Sequence, residues 1–322
     1  MTQKTHRTEY TILKHLIDHG PLSINELAEK TGYNRTWIWK KLRELEKKGL
    51  VKLSKKGRIL IADYKEPVKE PQVIILGILR AAEYPYILDF HKRLQKKWNT
   101  IIKIYDDAYT LAMHLATGRV HLAMNPSVTL LLAHRISGGK VFIAGGGSGG
   151  GAGIIENPRG REGHTTTMAS SMEYCAVKER LPGPRIYARG GDEIIENVSR
   201  GITRYGVVWE PYLGLAQAKG LRTRACDLPV CCLLGIHDSM IHHVDKLKRL
   251  FAYSVEKIAK RLDSPVLIDS YSNLIGLPRD LVKRAILSYR YYPETPYDVL
   301  QNNAQLIRET LVPFDLVRRA VI

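Results

Sequence analysis

Near the start of the chain, apolar residues recur every three or four positions, which is the spacing of one face of a helix. This spacing predicts three helices, over residues 7–19, 24–30 and 35–48. Ser23 and Glu26 have the spacing of a capping box at the start of the second helix. Two short apolar segments then flank the basic stretch 54–57, which predicts a hairpin with a basic tip.

The pattern changes after residue 63. Residues 64–71 combine two prolines with four charged residues, which is the composition of a linker. The run Val73–Leu79 is typical of a strand buried on both faces. After it, short apolar runs alternate with helical stretches, which predicts an α/β domain with parallel pairing. We therefore expect three segments: a domain over 1–66, a linker over 67–71 and a domain over 72–322.

The charge of the chain favours an anionic partner. Its 322 residues include 49 Lys and Arg against 32 Asp and Glu, which gives a net charge of +17. Residues 1–66 alone hold 15 Lys and Arg against 8 Asp and Glu. Nucleic acid is the commonest partner for such a surplus. Four cysteines are too few for a disulfide scaffold. With no apolar leader and no apolar run near the ~20 residues of a membrane span, we expect a reduced, cytoplasmic protein without a membrane partner.

The N-terminal pattern resembles the winged helix-turn-helix domains of bacterial and archaeal regulators. The resemblance is carried by the segments Ser23–Glu29, Gly32–Ile38 and Leu42–Val51. It implies double-stranded DNA as a partner. Side chains of the third helix would contact base edges, and the basic hairpin, or wing, would contact phosphates. The expected DNA-binding residues are Arg35, Thr36, Trp39, Lys40, Arg43, Lys55, Lys56 and Arg58. The alternative is a winged helix used only for protein contacts.

Residues 72–322 resemble the periplasmic solute-binding proteins, and most closely the group that binds alkanesulfonates, nitrate or the pyrimidine precursor of thiamine. The segments Tyr109–Met124 and Gly206–Tyr212 carry the resemblance, the second through Trp-Glu-Pro-Tyr at a strand end. The implied fold class is an α/β two-lobed periplasmic-binding-protein-like domain preceded by a small winged helix-turn-helix domain. The family is normally exported, so a DNA-binding head indicates sensing in place of transport.

The resemblance and the geometry of α/β sheets place a ligand between the lobes. Ligands of open α/β sheets lie beyond the carboxyl ends of strands, where helices begin. The loop 163–167 leads into a helix predicted over 166–180, whose amides and hydroxyls suit a small polar or anionic group. Aromatic walls and carboxylates from other loops would complete the site. The candidate ligand-binding residues are Glu83, Tyr84, Asn125, Ser127, His164, Thr165, Thr166, Trp209 and Glu210.

Two other motifs have weaker interpretations. The glycine run 145–153 contains GxGxxG, but no helix is predicted after it, so we expect a flexible interlobe strap or a ligand-side loop. Cys226, Cys231 and Cys232 are expected to be buried apolar cysteines, with a metal or redox site as the alternative. No nucleophile–base set is legible, so we expect no catalysis, no cofactor and no metal.

The sequence thus predicts a one-component transcriptional regulator, a homodimer or higher oligomer, in which lobe closure changes the spacing of two DNA-binding heads. The first helix and Ala304–Ile322 are the candidate interfaces. One alternative is an enzyme acting on a pyrimidine precursor, as in relatives of the resembled family. The others are a metal or redox sensor and a ligand-free DNA binder.

Overall fold

A computed structural model describes residues 2–47, 50–57, 59–64, 71–298, 300 and 301, with the backbone alone over 2–10. The N-terminal domain comprises α1 (Thr2–His19), β1 (Leu22–Ser23), α2 (Ile24–Thr31), α3 (Arg35–Lys47), β2 (Val51–Lys56) and β3 (Ile59–Tyr64). Its strands form an antiparallel sheet in the order β1-β3-β2. The linker predicted over 67–71 lies outside the described residues except for Pro71.

The local signals of the N-terminal domain act as the sequence predicts. Ser23 Oγ accepts a hydrogen bond from Glu26 N at 3.2 Å, and Glu26 Oε2 accepts one from Ser23 N at 2.7 Å, so the capping box is formed. One correction concerns the wing, because Lys55 and Lys56 belong to β2 and the turn lies at Gly57, which has φ +63°. The domain core consists of Ile12, Leu13, Leu16, Leu22, Leu27, Ile38, Leu42, Leu45, Leu50, Val51 and Ala62.

The larger domain has two lobes. The first lobe begins with β4 (Val73–Leu79), α4 (Ile87–Leu94), β5 (Asn99–Tyr105), α5 (Ala108–Ala116), β6 (Leu122–Pro126), α6 (Ser127–Ile136) and β7 (Val141–Gly150). The second lobe comprises β8 (Ala152–Glu156), β9 (His164–Thr166), α7 (Ser171–Lys178), β10 (Arg185–Tyr187), α8 (Gly191–Ser199), β11 (Tyr205–Trp209), α9 (Tyr212–Ala218) and β12 (Arg222–Cys226). The chain then returns to the first lobe.

The returning segment completes the first lobe. It comprises β13 (Cys232–His237), a 3₁₀ helix (Asp238–His243), α10 (Val244–Ala259), α11 (Pro265–Ile275), α12 (Arg279–Ala285), a short 3₁₀ turn (Ile286–Ser288) and β14 (Tyr289–Tyr292). The first-lobe sheet has the order β14-β7-β13-β6-β4-β5, and the second-lobe sheet has the order β10-β9-β11-β8-β12. None of the described helices is long and apolar enough to cross a membrane.

Strand pairing is mixed: the predicted parallel pairing is present in both sheets, and antiparallel pairs accompany it. β4 pairs in parallel with β5 and β6, and β9 pairs in parallel with β10 and β11. The antiparallel pairs involve β7, β8, β12, β13 and β14, which flank the crossings between the lobes or follow the return. A strand that crosses from one sheet to the other meets its neighbours from the opposite direction, so these segments break the βα alternation.

Most of the glycine run lies in β7, whose register against β13 shifts near Leu234, so the run is not a ligand-side loop, which corrects one of the two expectations for it. A Cβ atom on Gly146 would lie 1.9 Å from the Tyr292 carbonyl oxygen. On Gly147 it would lie 2.0 Å from that of Cys232. Glycine is therefore required by the close approach of neighbouring backbone. The run does connect the lobes, because β7 leads through Gly151 directly into β8 of the second lobe, but it does so as paired strand and not as a flexible strap.

The winged helix packs on the first-lobe sheet at β5. Val73 and Ile101 of the larger domain join the core of the small one. Lys103 Nζ also donates a hydrogen bond to the Ile17 carbonyl oxygen at 2.6 Å. Leu13 and Leu16 are buried within this core, so the apolar face of α1 is used inside the chain, and the first helix as an oligomer interface stays a prediction. The other candidate interface, 304–322, lies outside the described residues.

The cysteines divide into a bonded pair and a free pair. Cys175 in α7 and Cys226 at the end of β12 form a disulfide with a Cα–Cα distance of 6.4 Å. Cys231 and Cys232 are free and buried. All three predicted cysteines are buried, as expected. The alternative in which Cys226 shares a site with the adjacent pair is excluded by its disulfide, which also contradicts the expectation of a reduced protein.

A buried histidine makes the fold sensitive to acid. His121 is 3% exposed and its Nδ1 accepts a hydrogen bond from Ile75 N at 3.0 Å. Burial, with nearby His237 adding to it, lowers the pKa of His121 to about 3. Below pH 6.5 the unfolded chain therefore binds a proton that the folded chain excludes. Stability from this site is complete above pH 6.5 and is lost as the pH falls from 6.5 towards 3.

We expect this histidine to remove about 2 kcal/mol from the free energy of unfolding between pH 7 and pH 5. In His121→Asn, Oδ1 can accept the same hydrogen bond but does not titrate, so the loss over this range should be smaller by that amount. Urea denaturation at both pH values measures the difference. His242→Asn, which replaces an exposed histidine, is the control, and equal pH dependence in the two variants would contradict the prediction.

Candidate functional site

A cleft opens between the lobes at the carboxyl ends of several strands. Its first-lobe side is lined by Leu79, Ala81, Glu83, Asp106, Asp107, Ala108 and Pro126. Its second-lobe side is lined by Thr167, Ser170, Ser171, Met172 and Trp209. Cys231 and Cys232 line it from the segment that returns to the first lobe. The cavity volume is about 30 Å³, which accommodates a water molecule or a single ion.

The carboxyl group of Glu83 lies on the floor of this cleft. Glu83 is 2% exposed, and Ser148 Oγ donates a hydrogen bond to its Oε1 at 2.9 Å. Within the described part of the chain it has no ion-pair partner. Burial raises the pKa of Glu83 to about 7, against the opposing effect of hydrogen bonds from Ser148 and the two thiols. The sequence prediction that Glu83 belongs to the site agrees with this placement.

The two free cysteines lie beside Glu83. Cys231 precedes β13, so the alternation of side chains along a strand does not separate it from Cys232, and their Sγ atoms are 3.2 Å apart. The Tyr84 hydroxyl donates a hydrogen bond to Cys232 Sγ at 3.1 Å. Burial raises the pKa of the Cys232 thiol well above its usual value. Tyr84 itself is fully buried behind the thiols, so its predicted role as a cleft wall is wrong.

The helix predicted over 166–180 begins later than expected. Ser170 caps it, with Oγ accepting hydrogen bonds from Met172 N at 3.1 Å and Glu173 N at 3.3 Å. The Thr167 hydroxyl is hydrogen-bonded to Ser170 Oγ at 2.7 Å. Polar groups therefore do meet the cleft at a helix start, as expected, but the residues are Thr167, Ser170 and Ser171.

Three predicted residues of this loop lie in β9 and outside the cleft lining. The Thr165 hydroxyl is hydrogen-bonded to the hydroxyl of Thr203 at 2.8 Å inside the second lobe. His164 accepts a hydrogen bond from Arg185 Nε at 3.2 Å. Thr166 is fully buried, and its hydroxyl has no hydrogen-bond partner among the described residues. The predicted anion site at Thr165 and Thr166 is therefore wrong, because these residues form a strand and not a helix start.

Asn125 and Ser127 flank Pro126 and support the cleft without lining it. Asn125 Nδ2 donates a hydrogen bond to the Ala108 carbonyl oxygen at 3.1 Å. Ser127 N donates one to the Cys231 carbonyl oxygen at 2.8 Å. Both residues therefore hold lining segments in place.

Glu210 lies at the hinge and not in the cleft lining. Its backbone N–H donates to the Gly151 carbonyl oxygen at 2.8 Å, and its carboxylate accepts from Gly214 N at 3.3 Å. Burial raises its pKa. The predicted role of Glu210 as a counter-charge to ligand is not what this geometry provides.

Trp209 lines the cleft, as predicted, and presents an unused donor. Its indole Nε1 is buried and has no hydrogen-bond partner within the described residues. A buried polar group without a partner costs about 1–3 kcal/mol. This N–H group is therefore available to a ligand that supplies an acceptor.

The predicted DNA-binding side chains of α3 share an exposed face. Arg35, Thr36, Trp39, Lys40 and Arg43 are all exposed, and Asn34 Oδ1 caps the helix through Trp37 N at 2.8 Å. The Arg43 guanidinium stacks over the Trp39 ring at 5.6 Å. In the wing, Lys55 and Lys56 are exposed on β2, whereas Arg58 lies outside the described residues. The named side chains of α3 and the two wing lysines are thus exposed to solvent, where DNA can reach them.

Comparison with known proteins agrees with both halves of this description. Residues 5–52 match the family model for winged helix-turn-helix DNA-binding domains. None of the curated protein sequences matches the chain.

The larger domain is similar to solved structures. The alkanesulfonate-binding protein of Xanthomonas axonopodis pv. citri, solved with MOPS bound, has a TM-score of 0.63 and 14% identity, covering 79% of this chain and 99% of its own. The zinc-bound ligand-binding component of an ABC-type import system from Staphylococcus aureus has a TM-score of 0.61 and 16% identity, covering 77% and 99%. A Candida albicans protein with the generic periplasmic-binding-protein fold has a TM-score of 0.59 and 8% identity, covering 78% and 96%. The chain therefore carries a winged helix-turn-helix DNA-binding domain followed by a two-lobed α/β domain with the fold of the periplasmic solute-binding proteins.

Proposed function

We propose that this protein is a ligand-responsive transcriptional regulator and not an enzyme. Its winged helix binds promoter DNA, and its interlobe cleft binds a small polar or anionic effector. The observation that carries the sensing half is the buried, unpartnered indole N–H of Trp209 in the cleft lining. A buried N–H donor without an acceptor is expected in a binding site whose ligand supplies that acceptor. The MOPS-bound Xanthomonas protein shows that this fold can hold an anionic solute.

The contact between the domains supports a route from cleft to DNA. β5 packs against α1 of the winged helix, and Lys103 in β5 bonds to the end of α1. The same strand ends at Tyr105, directly before the cleft residues Asp106 and Asp107. Closure of the lobes on a ligand would shift the end of β5 and with it the winged helix. In a homodimer this changes the distance between two DNA-binding heads, which sets the fit to paired half-sites.

The sensing half is tested by Trp209→Phe. This change keeps an aromatic ring against Tyr212 but removes the indole donor, so we expect about a tenfold loss of effector affinity. Native mass spectrometry of the purified full chain measures the fraction that retains a co-purified small molecule. DNA affinity without effector should not change.

Trp98→Phe is the matched control, because Trp98 packs against His243 outside the cleft lining and its replacement should leave occupancy unchanged. If Trp209→Phe and the wild type retained the small molecule to the same extent, the proposal that the cleft binds the effector would be contradicted. Failure of the full chain to bind any genomic fragment at low salt would overturn the regulatory function itself.

A further inference from the structure

Two thiols and a carboxyl group meet on the floor of the cleft. Cys231, Cys232 and Glu83 each offer a donor atom, and these atoms all lie within 4.8 Å of one another. All three residues are at most 5% exposed. Sulfur and carboxylate oxygen together form a donor set that zinc accepts readily, whereas magnesium and calcium require oxygen ligands.

We propose that Cys231, Cys232 and Glu83 form a binding site for a thiophilic divalent cation, and that Zn²⁺ is the ion that fits it. The inference rests on the proposed function in one respect, because it makes the ion a second effector of the same cleft, beside the polar or anionic one. Cys226 has no part in the site, since its sulfur is bonded to Cys175.

The distances are close to those that zinc requires. Tetrahedral coordination with Zn–S bonds of about 2.3 Å places two sulfur ligands about 3.8 Å apart. The present separation of Cys231 Sγ and Cys232 Sγ is 3.2 Å, so the two side chains need to part by roughly half an ångström. Cys231 lies just outside the regular strand, where a rotamer change does not disturb the β13 ladder.

Groups outside the donor set orient it and offset its charge. Tyr84 donates a hydrogen bond to Cys232 Sγ, and Ser148 donates one to Glu83 Oε1. Binding releases the thiol protons, so two thiolates and a carboxylate surround a doubly charged ion and leave one negative charge. Hydrogen bonds from outer groups of this kind stabilise such ligands and hold them in place.

The site leaves one coordination position open towards the cleft. Three protein donors are present, and the adjacent cavity of about 30 Å³ accommodates a water molecule as the fourth ligand. A polar or anionic group of a larger effector could take that position when the lobes open. Because Ser171 of the second lobe also contacts the Cys231 backbone at 3.4 Å, an ion held here would stiffen the junction between the lobes.

The first test is metal titration of the full chain after chelator treatment and reduction under argon. Co²⁺ serves as a spectroscopic probe and Zn²⁺ as its competitor. We expect one Co²⁺ per chain, with thiolate-to-cobalt charge-transfer absorption that Zn²⁺ removes. Cys231→Ser and Cys232→Ser should abolish that absorption and weaken Zn²⁺ binding at least about a hundredfold, and Glu83→Gln should weaken it about tenfold or more.

The double variant Cys175→Ser with Cys226→Ser is the matched control. It also removes two sulfurs but leaves the cleft unchanged, so it should keep the wild-type stoichiometry and spectrum. X-ray absorption on the zinc-loaded wild type, which needs no variant, should show two sulfur ligands at about 2.3 Å with lighter donors. Absence of bound metal in the wild type, or loss of binding in the control but not in Cys232→Ser, would overturn the site.

Measurements of DNA affinity distinguish failure of the metal site from failure of the proposed regulatory function. Zn²⁺-loaded and chelator-treated protein should differ in affinity for the same genomic fragment. Zinc binding with unchanged DNA affinity would uphold the metal site and overturn its role as effector. A DNA response to another small molecule, in a protein that binds no zinc, would overturn the metal site and leave the regulatory function standing.

Discussion

Gly147→Ala is expected to destabilise the two-lobed domain by about 3 kcal/mol or more, because the added methyl group has no free space. Its Cβ would lie 2.0 Å from the carbonyl oxygen of Cys232 and 2.9 Å from the carbonyl carbon. Both atoms belong to the backbone of β13, so neither can rotate away. Relief requires β7 and β13 to separate, which breaks their ladder at the junction of the two lobes.

Gly214→Ala is the control for this prediction. Gly214 lies in α9, and a Cβ there would meet only Glu210 Oε2 at 3.5 Å, which is an ordinary contact. Since alanine favours a helix by about 1 kcal/mol over glycine, this variant should be as stable as the wild type or more stable. Urea denaturation followed by circular dichroism compares the two. Wild-type stability in Gly147→Ala would show that β7 and β13 do not pack as described.

The glycine run also shows where sequence reasoning reaches its limit. A strand is recognised by alternation of side chains, and residues 145–151 offer only one, that of Ser148. The reason for the glycines is the approach of carbonyl groups from β13, β14 and the Pro229 segment, which are 80 or more residues away in the sequence. No local pattern contains that information.

The N-terminal domain was predictable because its signals are local. The capping pair Ser23 and Glu26 and the spacing of Ile38, Leu42 and Leu45 each concern residues within one or two helical turns. A similar signal was available for the second lobe, since Ser170 and Glu173 have the spacing of a helix start. The prediction instead placed the helix start at the run of threonines that includes Thr165 and Thr166. The helix begins five residues after the predicted position.

The chemistry of the cleft depends on contacts that sequence spacing does not reveal. Glu83 and Ser148 are 65 residues apart, and Tyr84 and Cys232 are 148 apart. The choice of Cys175 as the partner of Cys226, across 51 residues, is likewise decided by tertiary structure, which brings α7 to the end of β12. The resemblance of the larger domain to the solute-binding proteins predicted that a cleft lies between the lobes at the strand ends. Which side chains line that cleft is visible only in the folded chain.

Replacing both wing lysines, Lys55→Ala with Lys56→Ala, is expected to weaken binding to every DNA sequence by a similar factor, about tenfold or more at low salt. Both side chains are exposed on β2, and wing lysines of a bound winged helix neutralise phosphates and do not read bases. Each lost phosphate contact reduces the slope of log K against log salt by about 0.9, so each bound head should lose about 1.8. Fluorescence anisotropy with one fragment across a salt series measures both quantities.

Two comparisons make this result specific. Lys92→Ala with Lys96→Ala removes the same charge from exposed positions in and just after α4 of the first lobe, and should change the salt slope little because these lysines belong neither to α3 nor to the wing. Arg35→Ala, at the start of α3, should cost about 1–3 kcal/mol on preferred sites and less on others if its guanidinium reads a guanine. A salt slope that falls equally in both lysine variants would show that the net charge of the chain, and not the wing, determines DNA affinity.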